Sequence, residues 1–536
     1  MVKGSVSKVS DLPATGIDGF TVEVTTGGED STYLAFSDTT GTWKETVKPG
    51  LCNQLDANTM PHLLTLKEDG TFTFGTNSWE GRQAGNEDTS PEPSFVGLPL
   101  RDMFFYQGRL GLLVTDSVVF SEVDEWGNFF ATTTNTVVDS DPIDVTVASG
   151  DVTSGFPQLL YGLEVPKGDL LLFGRHVQYV LSADKALTPQ NVKVSLHSHV
   201  NCGSVRPVSL EQSLVFISPA LEFSHVKEFI PNRSEVNYLL AETLTEHVPS
   251  LLPNTIKKLI TVNSQKLLLV LPYGENRDGS DIVYAYFYHW HNEKRLQSAW
   301  VKWEFASRVL DICSAGQEVW FIMGHNDGVH FDKMTFEPSI MYLDHGAIVK
   351  SSVYDSTLNR TTFDVPGGRH DRVVLYDLEE SNSIPIINDD NPKAPQAAGD
   401  LTNKKQILGG SYYQMRYTFG PLVVRQGERE SGPGLGVGLG MPYAHITAGQ
   451  LRLGVENIAD NEVPARDWNQ DFRAVVDVAG NTSNAPYAVY EYKGGRTLTI
   501  PLHADSGDVT ITLKHDDPRG RGVFTNAIWT GTYGDA

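Results

Sequence analysis

The stretch that decides the fold is PSFVGLPLRDMFFYQGRLGLLVTDSVVFSEVDEWGNFF, residues 93–130, together with DSDPIDV at residues 139–145. It contains three short apolar runs separated by a glycine and by a polar turn: Met103–Tyr106, Gly108, Arg109–Val114, Thr115-Asp116 and Ser117–Ser121. Short apolar runs bounded by turn residues are typical of β-strands, whereas an amphipathic helix shows a period of 3.6 residues. The stretch therefore predicts one sheet unit of strands joined by tight turns.

The same strand-turn-strand pattern recurs through the middle of the chain. Four further units begin at Leu170, Leu214, Leu267 and Val319, at uneven spacings. Five small sheets that bury their faces against their neighbours are typical of a β-propeller. A long β-sandwich or a stacked meander is the competing interpretation, because no WD or kelch signature accompanies the units.

Helical signals are sparse elsewhere, and β-branched and aromatic runs alternate with turn residues to the end of the chain. We expect a mainly β fold, with an incomplete or variant β-propeller and flanking β-rich and β-sandwich-like domains. The predicted domains are an N-terminal β-rich domain at residues 1–93, propeller-like blades at 94–340 and one or two β-sandwich-like modules at 341–536. The polar segment Asn388 to Gly399 predicts a boundary or surface loop, and the glycine-rich segment Gly432 to Gly440 predicts a flexible loop between strands.

Length and hydropathy are those of a soluble chain of several domains. The 536 residues are enough for about three or four domains. No apolar run approaches the roughly 18–20 residues that cross a bilayer. The start, MVKGSVSKVSDLP, has no apolar core of a secretory signal. We therefore expect synthesis in the cytoplasm.

The charge balance is strongly acidic. The chain has 66 acidic and 42 basic residues and a formal net charge of −24. A protein that holds nucleic acid by neutralising phosphates needs the opposite sign, so avid DNA binding is disfavoured. The same sign suits a surface that lies beside DNA without adhering to it, although many proteins are acidic only for solubility.

The three cysteines, Cys52, Cys202 and Cys313, are far apart and have no CxxC spacing. This pattern predicts neither a disulfide framework nor a zinc site. We expect three buried, inert thiols.

Few residues suggest chemistry. The carboxylates of Asp139, Asp141 and Asp144 are a weak candidate for a metal site, but EF-hand spacing is missing and a tight turn before Pro142 is the favoured interpretation. The imidazoles of His289 and His291 can share a strand face, yet a metal would need a third ligand.

The pairs Glu122 with Asp124 and Glu379 with Glu380 carry no specific glycosidase signal. The glycine-rich segment lacks the spacing of a dinucleotide or phosphate loop. We predict no enzyme activity and no cofactor.

The order of several short motifs resembles the tail nozzle proteins of short-tailed bacteriophages, also called tail tubular protein B. The motifs are TMPHLL at 59–64, PSFVG at 93–97 with the segment that follows it, DSDPIDV at 139–145, LTEHVPSLLPN at 244–254, QSAWVKWEF at 297–305 and IWTGTY at 528–533. The resemblance spans most of the chain. It assigns structural motif positions to Met60, Pro61, His62, Pro93, Phe95, Gly97, Arg109, Gly111, Asp141, Pro142, Asp144, His247 and Pro249.

The resemblance implies a virion protein that forms a ring of six copies beneath the tail adaptor protein. Its bore would carry double-stranded DNA outward without specific binding, the module at 341–536 would form the nozzle or channel, and tail fibres and the host cell envelope would be further partners. We expect the bore to be rich in Asp, Glu, Ser, Thr and Gly. Assembly would take place in the cytoplasm of the host bacterium.

The front of the chain departs from the family pattern, because related proteins begin with a further stretch of propeller strands. We expect the remaining blades to be supplied by another chain, replaced by a different closure, or part of a longer product. Two other functions stay open. One is a tail-associated glycan-binding or glycan-cleaving β-protein, with Trp290, Trp300, Trp303 and Trp320 as stacking residues; the other is a free propeller scaffold.

Overall fold

The computed structural model describes residues 4–25, 31–147, 157–165, 168–183, 185–211, 213–231, 239–274, 278–291, 294–325, 328–336, 341, 343, 345–365, 373–388, 390–391, 393–419, 424–426, 429–431, 444–457, 472–478, 488–491, 497–505, 509–515 and 522–535. The glycine-rich segment Gly432 to Gly440 and two positions of the polar segment at 388–399 lie outside these residues. The chain divides into two compact units, residues 1–336 and 337–536. The predicted division into three domains, with a boundary at residue 93, stays a prediction.

The fold is mainly β, as the sequence predicts. Within the described residues the helices are two single turns of 3-10 type, Val9–Asp11 and Asn263–Gln265. None of the described helices is long and apolar enough to span a bilayer. The other described residues form strands, turns and connecting segments.

The first unit begins with a four-stranded sheet and a separate hairpin. The sheet contains β1 (Ser5–Val6), β2 (Thr21–Thr25), β3 (Ser31–Ser37) and β4 (Thr42–Glu45), paired in chain order. The hairpin contains β5 (His62–Leu66) and β6 (Phe72–Thr76), which form a two-stranded sheet of their own. The turn between them is closed by the Asp69 carboxylate, which accepts a hydrogen bond from the Thr71 N–H at 2.9 Å.

Three four-stranded antiparallel meanders follow the hairpin. Their strands pair with their neighbours in chain order. They are sheet D, with β7 (Asp102–Tyr106), β8 (Arg109–Leu113), β9 (Ser117–Phe120) and β10 (Ile143–Thr146); sheet F, with β11 (Leu159–Glu164), β12 (Leu170–Gly174), β13 (Gln178–Ser182) and β14 (Lys193–Ser198); and sheet G, with β15 (Val208–Leu210), β16 (Ser213–Pro219), β17 (Ser224–Pro231) and β18 (Leu239–Thr243).

The last sheet of the first unit has six strands because one strand serves two meanders. Its strands are β19 (Ile256–Val262), β20 (Leu267–Pro272), β21 (Ser280–His291), β22 (Lys294–Ala315), β23 (Glu318–His325) and β24 (Gly328–Met334). The first half of β22 pairs with β21 and its second half pairs with β23. The predicted fourth and fifth units therefore share one continuous strand of 22 residues.

Successive sheets pack face to face, and strand alternation explains how. In β12, Leu170 and Leu172 pack toward sheet D, whereas Leu171 and Phe173 pack toward sheet G. Leu214 and Phe216 of β16 pack toward sheet F, and its alternate residues pack toward the six-stranded sheet. Successive side chains of a strand point to opposite faces, so a sheet that is apolar on both faces needs a neighbour on each. A stack of this kind is typical of propeller blades; its closure into a ring stays a prediction.

The second unit begins with two four-stranded sheets around one core. One contains β25 (His345–Ile348), β32 (Ile407–Ser411), β28 (Val373–Asp377) and β29 (Asn382–Ile384); the other contains β26 (Ser351–Asp355), β27 (Arg360–Asp364), β31 (Gln396–Ala398) and β30 (Ile386–Asn388). Phe363, Leu375, Ala397 and Ile407 form the shared core. Two sheets that face each other across such a core form a β-sandwich.

The remaining strands of the second unit form three sheets. The first sheet contains β33 (Met415–Thr418), β40 (Val509–His515), β37 (Phe472–Val478) and β38 (Ala488–Glu491). The second is the pair β34 (Val424–Gln426) and β35 (Arg429–Ser431). The third contains β39 (Thr497–Asp505), β36 (Ala444–Asn457) and β41 (Gly522–Asp535). The motif IWTGTY lies in β41, where it pairs with β36.

Candidate functional site

The motif residues of sheet D meet at a buried arginine. Gln107 and Gly108 both have positive φ, 47° and 75°. This is the conformation of a two-residue type I′ hairpin, whose twist matches that of the flanking strands. The turn places Arg109 at the start of β8, where the structure buries it completely.

The Arg109 guanidinium binds backbone carbonyl oxygens instead of a carboxylate. Nη1 donates to the carbonyl oxygens of Ser121 and Asp141 at 2.8 and 2.7 Å, and Nη2 donates to that of Asp139 at 2.7 Å. A weaker contact at 3.4 Å reaches the carbonyl of Leu187, after β13 of sheet F. Hydrogen bonds from a charged donor are among the stronger ones, so one side chain fixes the DSDPIDV segment against β8.

Burial and charge act on Arg109 in opposite directions. Desolvation lowers its pKa, while the negative charges of Asp141 and Glu122 raise it. Asp141 is itself buried, and its Oδ2 accepts a hydrogen bond from the Val138 N–H at 2.8 Å. The carboxylate therefore closes the turn before Pro142, as the favoured sequence interpretation expects.

The motif PSFVG is joined to DSDPIDV by one hydrogen bond. The Asp144 Oδ2 accepts from the Ser94 N–H at 2.7 Å, across 50 residues of sequence. The Pro93 carbonyl accepts a hydrogen bond from the Val96 N–H at 2.9 Å. Gly97 has a φ of 77°, a backbone conformation that residues other than glycine rarely adopt. Phe95 is buried and meets Phe129 edge to face with centroids 5.2 Å apart. The Asp144 carboxylate thus attaches PSFVG to β10 of sheet D, and Phe95 packs with buried Met60 against one face of that sheet.

Sheets D and F are held together by polar contacts as well as by their core. The Gln107 Oε1 accepts from the Leu187 N–H at 2.8 Å, and the Tyr106 hydroxyl donates to the Gly168 carbonyl at 2.6 Å. Burial raises the pKa of Tyr106 to about 12, so its hydroxyl stays a donor. The Asp102 carboxylate accepts from the Gly162 N–H at 3.0 Å and forms an ion pair with Arg206, just before sheet G.

Two glycines make room for one aromatic ring between these sheets. A Cβ at Gly111 would lie 2.5 Å from Cε2 of Phe104, and a Cβ at Gly162 would overlap the other edge of the same ring. The sequence points to Gly111 through a motif, but it gives no signal for Gly162, because its partner is in another sheet.

The remaining motif positions lie elsewhere. Pro61 directly precedes the β5–β6 hairpin, and His62 is the first residue of β5. His247 and Pro249 are exposed in the turns after β18, while Leu244 and Leu252 of the same motif are buried in the core between sheet G and β19–β22. The structure therefore brings together the motifs around Arg109. The 244–254 motif lies apart from them, in the core between sheet G and β19–β22.

The four candidate tryptophans are half-buried and already in contact with other side chains. Trp290 stacks under the Arg295 guanidinium at 4.3 Å, which itself pairs with buried Glu228 of β17. The Trp300 indole N–H donates to the Leu244 carbonyl at 3.0 Å. Trp303 meets Phe287, with centroids 6.4 Å apart, and Trp320 lies 5.7 Å from the Lys333 ammonium. These contacts are those of packing anchors.

The candidate metal ligands do not converge. Asp139 contributes its carbonyl to Arg109, and the carboxylates of Asp141 and Asp144 accept backbone N–H groups. His289 and His291 are exposed near the end of β21. Across the part of the chain that the structure describes, no three His, Cys, Asp or Glu side chains are grouped as a metal site.

The expectation of three buried thiols is wrong for two of them. Cys202 is buried, and desolvation raises its pKa to about 12. Cys52 is exposed in the irregular segment before β5, and Cys313 is exposed in β22. Cys313 follows buried Ile312, so strand alternation turns it outward.

With this geometry in hand, comparison with known proteins assigns a family. A family model described as bacteriophage nozzle protein matches residues 1–535. The chain belongs to the bacteriophage nozzle protein family. Membership of the nozzle family makes it a structural component of a phage tail.

A curated relative agrees with the nozzle family. Tail tubular protein gp12 of Escherichia phage T7 is 26% identical over 444 residues, which cover 78% of this chain and 54% of gp12. The chain therefore spans about half the length of the curated relative that it matches.

Solved structures are similar only remotely. Virginiamycin B lyase from Staphylococcus aureus has a TM-score of 0.28 at 9% identity, covering 63% of this chain and 88% of the lyase. The N-terminal domain of Nup159 has a TM-score of 0.27 at 11% identity, covering 59% of this chain and 84% of that domain. At these TM-scores neither likeness bears on this nozzle protein's fold or function.

Proposed function

We propose that this nozzle protein is a non-catalytic conduit subunit, six copies of which close into a ring around a bore that passes double-stranded DNA. The observation that carries the proposal is the nozzle family match over residues 1–535. The tail adaptor protein, tail fibres and the host cell envelope are the proposed partners, and assembly takes place in the host cytoplasm.

The structure supports a mechanical role through its polar connections. Arg109, Gln107 and Asp102 bind backbone groups or side chains of neighbouring segments, so sheets D, F and G act as a connected stack. Such connections hold a shape and do not place a reactive group. We propose that the blades at 94–340 form the wall of the ring and that the module at 341–536 forms the nozzle or channel.

The charge supports passage without adhesion. Six copies at −24 each carry −144. Wherever that charge lines the bore, it repels phosphates, and no counterions are released that would favour binding. We propose a lining rich in Asp, Glu, Ser, Thr and Gly.

A salt titration tests non-adhesion directly. Fluorescence anisotropy of a labelled DNA duplex should stay unchanged when purified rings are added between about 50 and 200 mM salt, the range over which phosphate-binding proteins change affinity by about 10³–10⁵. Binding that strengthens steeply as salt falls would contradict the proposal.

A further inference from the structure

The β5–β6 hairpin has the pattern of a half-buried element and yet is uncovered. Cross-strand register places Leu64 opposite Phe74 and Leu66 opposite Phe72, so these four side chains share one face. The other face carries Leu63, Thr65, Thr73 and Gly75. Alternation of this kind is typical of a strand pair with one face in a core. We call the first face the apolar hairpin face.

The apolar hairpin face is exposed within the chain. Its four side chains are between 61% and 74% exposed. Among the described strands, none pairs with β5 or β6 except each other. A two-stranded hairpin alone is marginally stable in water, and packing on another surface is what usually stabilises it. His62 stacks on Phe74 at 5.3 Å, which holds the aromatic ring in place on this face.

The exposed area is that of one side of a specific interface. Aromatic side chains bury about 150–250 Å² each and leucines somewhat less, so these exposed fractions correspond to about 500 Å² of apolar surface. A standard interface buries about 800 Å² per partner, a little over half of it non-polar. The face alone therefore supplies the apolar part of one partner's contribution.

A second patch of exposed apolar side chains lies in the same unit. It is formed by Met103 and Phe105 of β7 and by Trp126, which are between 49% and 59% exposed. Phe105 and Trp126 meet edge to face at 5.1 Å. We call these three residues the Met103 patch. Met103 and Phe105 lie on the side of sheet D on which Leu110 and Leu112 are covered by other parts of the chain.

Both surfaces have charged residues at their margins. Lys67, Glu68 and Asp69 form the exposed tip of the hairpin, and Arg101, Asp124 and Glu125 are exposed beside the Met103 patch. An apolar centre with a polar rim is the usual composition of a protein interface.

We propose that the apolar hairpin face packs on the Met103 patch of a second copy of this chain. In a closed ring, each subunit contacts its neighbour through a heterologous interface, in which one patch of the first subunit packs on a different patch of the second. The apolar hairpin face and the Met103 patch are two such different patches. The inference rests on the proposed ring, and it names the residues that join neighbouring subunits.

Paired variants of the full chain test both surfaces. Leu64→Ser/Phe74→Ser alters the hairpin, and Met103→Ser/Phe105→Ser alters the patch. Leu63→Ser is the matched control, since it lies one residue away on the opposite hairpin face. Circular dichroism confirms that each variant is folded, and native mass spectrometry with negative-stain microscopy measures assembly.

At equal protein concentration, we expect the fraction of chains assembled into rings to be at least tenfold lower in each double variant than in the wild type. Leu63→Ser should assemble like the wild type. Intact rings in either double variant would overturn the inference. Because that outcome leaves the wild-type ring unchanged, it is distinguishable from failure of the proposed function, which would appear as a wild-type chain without rings.

A disulfide experiment locates the contact. In a background with Cys52→Ser and Cys313→Ser, which removes the two exposed thiols, one chain carries Leu64→Cys and another carries Met103→Cys. Oxidation of the mixture should give cross-linked pairs of unlike chains, and neither variant alone should do so. Cross-links that form equally well within each single variant would contradict the heterologous contact.

Discussion

Gly162 of β11 lies directly against the ring of Phe104 of β7, with no room for a side chain between them. Phe104 is buried in the core that sheets D and F share. The absence of a Cβ at residue 162 therefore sets how closely the two sheets approach.

The first prediction is that Gly162→Ala destabilises the first unit by about 1–3 kcal/mol, the usual cost of overpacking a core. Urea titration measures the free energy of unfolding. Gly75→Ala is the control, because a Cβ there meets nothing within 4 Å. Adding Phe104→Leu to Gly162→Ala should cost less than the two single changes combined, and simple additivity would contradict the contact.

The second prediction concerns Arg109. Arg109→Met leaves the carbonyl groups of Ser121, Asp139 and Asp141 without their charged donor, and each buried unsatisfied group costs about 1–3 kcal/mol. We expect a loss of about 3 kcal/mol or more in the free energy of unfolding of the first unit. Arg101→Met removes an exposed arginine from the same segment and should change stability by less than about 0.5 kcal/mol. Equal effects of the two changes would refute the role of Arg109.

The third prediction concerns thiol reactivity. The thiolate is the reactive form, and burial raises the pKa of Cys202 to about 12. Alkylation at pH 8 followed by peptide mass spectrometry should modify Cys52 and Cys313 in the native chain and Cys202 only in denaturant. Rapid native modification of Cys202 would show that sheets F and G open there.

The fourth prediction is a pH dependence in the second unit. The Lys404 ammonium holds the pKa of Asp377 below its ordinary value of 3.8. A carboxyl with a lowered folded pKa stabilises the fold above its unfolded pKa, and that contribution is lost as the pH falls through the folded pKa. Asp377→Asn keeps the acceptor for the Glu379 N–H but removes the charge.

We therefore expect the melting temperature of the wild type to exceed that of Asp377→Asn near neutral pH. The difference should shrink as the pH falls below 3.8. Asp364→Asn, a change at an exposed position of β27, serves as the control and should show no such trend. A difference that is constant with pH would sink the ion-pair explanation.

The sequence predicts the strands of sheet D closely, because their signal is local. The runs Met103–Tyr106 and Arg109–Val114 differ from β7 and β8 by one residue each, and Gly108 is in the turn between them. The continuity of β22 is not visible in the same way. The sequence shows two separate units there. That one strand connects them depends on the pairing of β22 with β21 along one edge and with β23 along the other.

The contacts of the candidate site are harder to predict, because many of them are made by backbone atoms. Asp139 contributes a carbonyl oxygen and Leu187 contributes both an N–H and a carbonyl, so their side-chain identities give no signal. Cys313 shows a related limit. Only the strand register, and not the residue type, decides that it faces outward.

The central claim is that six acidic subunits surround an open passage for DNA. Cryo-electron microscopy of native phage tails tests this most directly. We predict six copies of the chain around a continuous axial bore wide enough for a DNA duplex, lined mainly by acidic and small polar side chains. A density closed along its whole axis in the ejected state, or a bore lined by lysine and arginine, would contradict the account.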